Sequence, residues 1–241
     1  MRVFVRNLPM SLGENTFVLS LGGSLVVPNG GIDTQFLSNF NTFIRKQISS
    51  KKRRFFIVVG GGATTRHYQA VASAVHGKIE DIDLDWIGIH ATRLNAHLLR
   101  VIFKDLAHSH VLKHYEIIRK ANESVVIAGG WKPGWSTDYC AITVCQDYGI
   151  KNILNLTNVD QVYNKDPKQF PDAKPLIETS WKKYRASVGN TWVPGMNTPF
   201  DPIASKLADE LGVTVKILNG KNLDNLGLAL DGKKFLGTTI Q

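Results

Sequence analysis

The sequence predicts an α/β fold built on a mainly parallel sheet, and three observations carry that expectation. Short apolar runs alternate with stretches of helical period, the order in which βαβ units are written. Three of the runs end in glycines: Gly22-Gly23-Ser24, Gly60-Gly61-Gly62 and Gly129-Gly130. The composition, 43% hydrophobic and 20% charged residues in a chain of 241, is that of an ordinary globular domain. That much apolar material offsets the entropy lost on ordering. One large domain, or two lobes sharing a sheet, both fit this length. No repeat or low-complexity linker divides the chain. Residues 1–15 read as an N-terminal extension of unassigned role, and 16–241 as a single domain.

The elements follow in order. Thr16 to Leu21 is a short apolar strand feeding the first glycine turn. From Asp33, a helix N-cap, Phe36, Phe40, Phe43 or Ile44, and Ile48 recur at helical spacing. Phe55 to Val59 is a second strand, and Thr64 or Thr65 opens a helix that ends near Gly77. Ile87, Ala91, Leu94, Leu98, Val101 or Ile102, and Leu106 mark a long third helix. Val125 to Ala128 is a strand, Ser136 to Tyr148 a helix, and Asn152 to Thr157 a strand running into a loop from Asn158 to Pro175. Asp201-Pro202 starts a helix with a carboxylate cap and proline at its first position. Ile203, Leu207 and Leu211 form its buried stripe, and Gly212 stops it. Val213 to Leu218 and Gly237 to Ile240 complete the strands.

Charge and cysteine content exclude several classes. With 29 Lys and Arg against 20 Asp and Glu the net charge is +9, which attracts anions without naming them. The one dense basic run, Lys51-Lys52-Arg53-Arg54, reads as a solvated helix end whose cations suit the dipole. No aromatic residues interleave with it, so no nucleic-acid partner is expected. No apolar run approaches the roughly 20 residues that span a bilayer, so no membrane partner is expected. The N-terminus lacks an apolar secretory core, which makes a cytoplasmic location the default. Cys140 and Cys145 fit neither a redox pair nor a zinc site and read as reduced thiols on a helix. His108, His110 and His114 read as a polar turn, because no acid or cysteine joins them at ligand spacing. No metal site is expected in the chain itself.

In a parallel sheet the three glycine-ended strands finish along one edge, where open α/β sheets bind their ligands. Glycine admits close approach of main-chain N–H groups to a phosphate, and a following helix N-terminus adds positive partial charge. Three such turns on one edge point to more than one phosphate. Neither a P-loop nor a G-x-G-x-x-G fingerprint is present, so a nucleotide must be held in another way.

At this point the residues resemble a known family. Leu21-Gly22-Gly23-Ser24 is followed by Val58-Val59-Gly60-Gly61-Gly62 with Arg66, by Asp85-Trp86-Ile87-Gly88-Ile89 and by Thr92-Arg93-x-Asn95-Ala96. Then come Gly129-Gly130-x-x-Pro133-Gly134-x-Ser136-Thr137-Asp138 and Thr157-Asn158-Val159-Asp160-x-Val162-Tyr163-x-x-Asp166-Pro167. Phe200-Asp201-Pro202-x-Ala204-x-Lys206 and Gly237-Thr238-Thr239-Ile240 close the series. In this order they resemble the amino-acid kinase superfamily and, within it, the archaeal-type uridylate (UMP) kinases, from about Phe17 to the C-terminus.

The resemblance implies a three-layer αβα sandwich that transfers the γ-phosphoryl group of Mg²⁺-carried ATP to UMP, giving UDP and ADP in pyrimidine nucleotide biosynthesis. It implies an acceptor-binding N-terminal part, an ATP-binding C-terminal part, and a homo-oligomer, commonly a hexamer, with the long third helix near the subunit contacts. Gly23, Ser24 and Gly62 would line the ATP phosphates, with Thr157, Asn158, Tyr163 and Asp166 around the adenine nucleotide. Gly61 and Arg66 would lie between donor and acceptor. Asp85 would accept from the UMP ribose hydroxyls, although its place before a helical stretch equally suits an N-cap. Trp131, Lys132, Pro133, Gly134, Trp135, Ser136 and Thr137 would wrap the acceptor. Asp138 and Arg66 are the residues given catalytic roles, Asp138 by orienting cationic groups or a Mg²⁺-bound water. Asp201 reads as structural or catalytic.

Departures from the family pattern matter. Ser20 stands where many members carry lysine, leaving Arg66, Lys132, Lys165 and Lys206 as candidates for the missing cation. Trp131 and Trp135 replace small or polar residues, and an indole there would stack on a base or fill part of the pocket. Gln161 stands where glycine is usual. Two other functions stay open on the sequence alone: a related phosphotransferase acting on a small acid or isopentenyl phosphate, and a nucleotide- or oxyanion-binding protein without turnover.

Overall fold

Strands form where β-branched and aromatic residues run together between glycines. A computed structural model describes residues 15–115, 118–165, 167, 169–189 and 198–241. Residues 1–14 of the N-terminal extension, and the candidate Asp166, lie outside these described residues. The first half holds β1 (Thr16–Leu21), α1 (Gly23–Val26), α2 (Thr34–Lys51), β2 (Arg54–Val59), α3 (Gly62–His76) and α4 (Asp81–Ile102). Next come β3 (Val125–Ala128), α5 (Thr137–Tyr148), β4 (Asn152–Thr157), β5 (Val162–Tyr163), β6 (Pro175–Leu176) and β7 (Glu178–Thr179). The chain closes with α6 (Trp181–Val188), α7 (Pro202–Leu211), β8 (Thr214–Asn219), α8 (Leu223–Leu230) and β9 (Thr238–Ile240).

The main sheet orders its strands β3-β2-β1-β4-β8-β9-β7. The first five run parallel, whereas β9 is antiparallel to β8 and carries β7 parallel to itself. β5 and β6 make a separate antiparallel ribbon. Every residue of β1 is buried, as a central parallel strand covered on both faces requires. The two-residue period of the strands divides the core. Phe17, Leu19, Leu21, Phe55, Ile57 and Val59 meet Phe36 and Phe40 of α2, Leu99 of α4 and Leu226 of α8. On the other face Val18, Phe56 and Val58 meet Ile142 of α5, Tyr184 of α6 and Ala204 of α7. The result is the expected three-layer αβα arrangement. Among the described residues no helix is long and apolar enough to cross a membrane.

Local chemistry sets the helix ends. Asp33 accepts from the Phe36 amide at 2.9 Å, Ser136 from Tyr139 at 3.1 Å and Asp201 from Ala204 at 2.8 Å, each satisfying an orphan first-turn donor. Gly212 ends α7 in the left-handed region.

Several expectations are corrected. α3 starts at Gly62 and not at Thr64 or Thr65. Asp85 is no N-cap: α4 begins at Asp81, so Asp85 lies within the helix, and the capping position belongs to Glu80. Within α4, Leu94 and Val101 are 64% and 55% exposed while Ile89, Ala91, Thr92, Asn95, Ala96 and Leu99 are buried. The buried side packs on the turn after β3, where a Cβ on Gly129 would lie 3.5 Å from Ala96 Cβ. In α7, likewise, the small residues Ala204, Ser205 and Ala208 are buried and Ile203 is exposed. The basic run is only partly solvated. Arg53 is buried, pairs with Asp231 at 2.7 Å and lies over the Phe17 ring, while Arg54 donates to the Glu123 carbonyl at 2.7 Å.

Candidate active site

Because β1, β2, β3, β4 and β8 are parallel, their carboxyl ends and the turns that follow share one edge. The turns are bonded across the strands: Gly22 N–H donates to Leu156 O at 2.8 Å and Gly60 N–H to Leu21 O at 2.9 Å. The first two turns touch. A Cβ on Gly23 would fall 2.1 Å from Gly62 N and 2.5 Å from Gly60 C, so no other residue fits. Gly62 has φ +65° and meets Gly23 from the other side. The helices that leave these turns, α1 and α3, receive no side-chain cap. The Ala63 amide in the first turn of α3 donates to Val27 O at 2.8 Å, which ties the two turns together; glycine turns at helix N-termini are suited to anions.

The segment after β3 is held residue by residue. Tyr115 donates to Gly129 O at 2.8 Å, Gly130 N–H to Thr92 Oγ1 at 2.7 Å, and Arg93 to Gly130 O at 3.0 Å and Trp131 O at 2.8 Å. Asp85 Oδ2 accepts from Gly134 N–H at 2.7 Å. Burial, opposed by that bond, raises the Asp85 carboxyl above its usual range. The tryptophans engage each other. Trp131 and Trp135 meet edge to face at 4.6 Å, Trp135 meets Tyr139 at 4.4 Å, and Lys132 Nζ lies 4.1 Å from the Trp131 ring centre. Pro133 and Gly134 form the tip, and Ser136 caps α5, which begins with Thr137 and Asp138.

Asp138 points back at the sheet. Its Oδ1 accepts from Ser20 Oγ at 2.9 Å and its Oδ2 from the Asp201 amide at 3.1 Å. Loss of water, with the neighbouring Asp201 carboxylate adding to it, pushes the Asp138 carboxyl up to about 7. Asp201 is itself buried and raised for the same first reason. Tyr184 fixes the chain just before it, donating to Phe200 O and accepting from Phe200 N–H, both at 2.8 Å. Asp138 is thus held by neutral donors. Of the four cations expected nearby, Arg66 donates to Asn29 Oδ1 at 2.9 Å, Lys132 covers Trp131, and Lys165 pairs with Asp172 at 2.6 Å. Lys206 is exposed on α7.

On the far side of β1, Thr157 Oγ1 accepts from Val159 N–H at 2.8 Å and turns the chain after β4. Asn158 is exposed there, and Tyr163 lies in the β5–β6 ribbon. The ribbon is tied to the main sheet by Val162 N–H donating to Thr238 Oγ1 at 2.9 Å. Among the described residues no group of three His, Cys, Asp or Glu side chains could hold a metal ion. Sequence reasoning gave no role to Ser20 beyond the absent lysine, nor any to Thr92, Arg93 and Asn95. Their presence in a quoted motif was the available signal; the long-range contacts were not.

Comparison with known proteins agrees with this geometry. The sequence profile of the Amino acid kinase family matches residues 15–219. Uridylate kinase from Methanospirillum hungatei JF-1 is 32% identical over 228 residues, covering 93% of this chain and 94% of that protein. Uridylate kinase from Pyrococcus abyssi is 32% identical over 227 residues, covering 93% and 98%. The crystal structure of uridylate kinase from Archaeoglobus fulgidus superposes with a TM-score of 0.77 at 29% identity, covering 93% of this chain and 99% of that one. With its three layers, its edge of glycine turns and these matches over nearly its whole length, the chain belongs to the amino acid kinase family.

Proposed function

We infer that the protein is a UMP kinase: it transfers the γ-phosphoryl group of ATP, supplied as the magnesium complex, to the phosphate of UMP. The carrying observation is the contact of the Gly23 and Gly60–Gly62 turns beside the segment 129–138, which sets two phosphate-binding places next to each other on one edge. The relatives of matching length are uridylate kinases, which selects the acceptor. The donor phosphates rest on Gly23, Ser24 and Gly62, and the base side lies toward Thr157, Asn158, Tyr163 and Asp166. The acceptor lies along Gly61, Asp85 and Trp131 to Thr137. Asp85 keeps Oδ1 for a ribose hydroxyl while Oδ2 holds Gly134.

Phosphoryl transfer asks little covalent help and much positioning and charge neutralisation. An oxygen of the UMP phosphate attacks the γ-phosphorus, and the bond from that phosphorus to the β–γ bridging oxygen breaks, leaving ADP. The attacking oxygen is already ionised at neutral pH, the second phosphate pKa being about 6, so no general base is needed. Asp138, held by Ser20 and Asp201 N–H, orients the start of α5 toward the phosphates. Arg66 spans donor and acceptor oxygens once it leaves Asn29. We further place the protein in the cytoplasm as a homo-oligomer. Tyr68, Val71 and Val75 of α3 and Trp86, Leu94 and Val101 of α4 form an exposed apolar set that a second copy would cover.

A coupled ADP-release assay with Mg²⁺·ATP across UMP, CMP, glutamate and isopentenyl phosphate tests the activity. ADP release with UMP above the others is expected. Release only with glutamate or isopentenyl phosphate, or none with any acceptor, overturns the reading.

A further inference from the structure

One side of α4 makes contacts that packing alone does not explain. Asn95 is 3% exposed and donates Nδ2 to Gly60 O at 2.8 Å and to Gly61 O at 3.2 Å. Arg93 donates to the Gly130 and Trp131 carbonyls. Thr92 Oγ1 accepts from Gly130 N–H while donating to Ile89 O at 2.7 Å. Asp85, two turns earlier, holds Gly134. Four side chains of one helix therefore grip both the turn after β2 and the segment after β3. Ala96 and Leu99 supply the apolar packing of the same helix. A buried amide costs free energy unless bonded, and here its donors go to two consecutive carbonyls.

The planar trans peptide gives these bonds a consequence on the opposite side. Within one peptide unit the C=O and the following N–H point in opposite directions. Holding Gly60 O and Gly61 O toward α4 turns the amides of Gly61 and Gly62 away from it, and Gly62 N lies against Gly23. Holding Trp131 O likewise turns the Lys132 amide outward. The carbonyl grip thus aims the donors that face phosphate. A misplacement of about 1 Å between reacting groups can cost on the order of 100-fold in rate.

We propose that Asn95 and Arg93 are positioning residues: by gripping consecutive carbonyls of two turns from one helix, they aim the Gly61, Gly62 and Lys132 amides and fix the acceptor phosphate against the donor. This rests on the kinase reading for its kinetic part only. Four variants of the full chain test it: Asn95→Ala, Arg93→Lys, and Thr92→Val beside Thr92→Ser. Steady-state kinetics, thermal melting and hydrogen exchange of the segments 58–64 and 129–136 are measured on each. Asn95→Ala lowers kcat at least tenfold with both KM values within threefold, and speeds exchange in 58–64. Arg93→Lys raises KM for UMP at least fivefold, leaves KM for ATP within twofold, and speeds exchange in 129–136 only. Thr92→Val behaves like Arg93→Lys, and Thr92→Ser recovers most of the loss. If Asn95→Ala does not fold, the Arg93 and Thr92 variants still decide the matter. Lowered melting temperatures with kcat and KM within twofold, or exchange quickened evenly along the chain, overturn the proposal. If the parent chain does not phosphorylate UMP, the kinase reading falls, while the exchange pattern still decides whether α4 grips the turns.

Discussion

Replacing Asp138 by asparagine separates charge from shape at the centre of the site. The amide keeps the volume: Oδ1 can still accept from the Asp201 amide, and Nδ2 can donate to Ser20 Oγ once that hydroxyl rotates. The folded carboxyl titrates at about 7 against a usual 3.8. The folded state therefore holds this proton more tightly than the unfolded chain. The stability so conferred is complete below pH about 4 and is lost as pH rises to about 7, after which it stays flat. About 3 units at roughly 1.4 kcal/mol each give a ceiling of about 4 kcal/mol, reduced by whatever water still reaches this partly buried group. Urea denaturation of parent and Asp138→Asn chains from pH 4 to 9 reads the difference directly. The carboxylates held low, such as Asp105 beside Arg45, cancel between the two curves. The variant should match the parent near pH 4 and exceed it by roughly 2–4 kcal/mol at pH 8, while kcat falls at least about tenfold and KM changes little. A variant less stable than the parent at pH 8 would mean that a cation holds Asp138 ionised, and unchanged kcat would remove it from catalysis.

The other expectations are briefer. Gly23→Ala forces a methyl into the backbone of Gly60 and Gly62, so activity should be lost together with at least about 2 kcal/mol of stability by urea titration; an active, unperturbed variant would show that the turns separate freely. Arg66→Ala should raise KM for both ATP and UMP and lower kcat about tenfold or more, and unchanged kinetics would take Arg66 out of the site. UMP titration should change tryptophan emission through Trp131 and Trp135, and Trp131→Phe combined with Trp135→Phe should abolish most of that signal. A full signal in the double variant would place the acceptor elsewhere.

What the sequence disclosed and what it hid follow from the range of the interactions. β1, β2 and β3 were legible because apolar runs buried on both faces end at glycines, and β4 because a short apolar run leads into a polar loop at Asn158. The caps Asp33 and Asp201 were legible because each bonds an amide only three residues on. α6 escaped notice because its eight residues are mostly polar, and α8 because Gly227 and the asparagines mask its stripe. The buried face of α4 was not legible for a physical reason: it packs on glycine turns, so Thr92, Asn95 and Ala96 point inward beside Ile89, Ala91 and Leu99, while Leu94 and Val101 point outward. The Ser20–Asp138 bond spans 118 positions and depends on how α5 crosses the sheet, which periodicity does not encode. Family resemblance supplied the acceptor loop, but not that Trp131 and Trp135 close on each other.

The central claim is that one sheet edge seats both nucleotides at once. Calorimetric titration with adenosine and uridine joined through five phosphates measures it most directly. One molecule bound per chain, displaced by ATP and by UMP alike, is the predicted outcome. Two molecules per chain, displacement by only one of the nucleotides, or no binding would contradict the account.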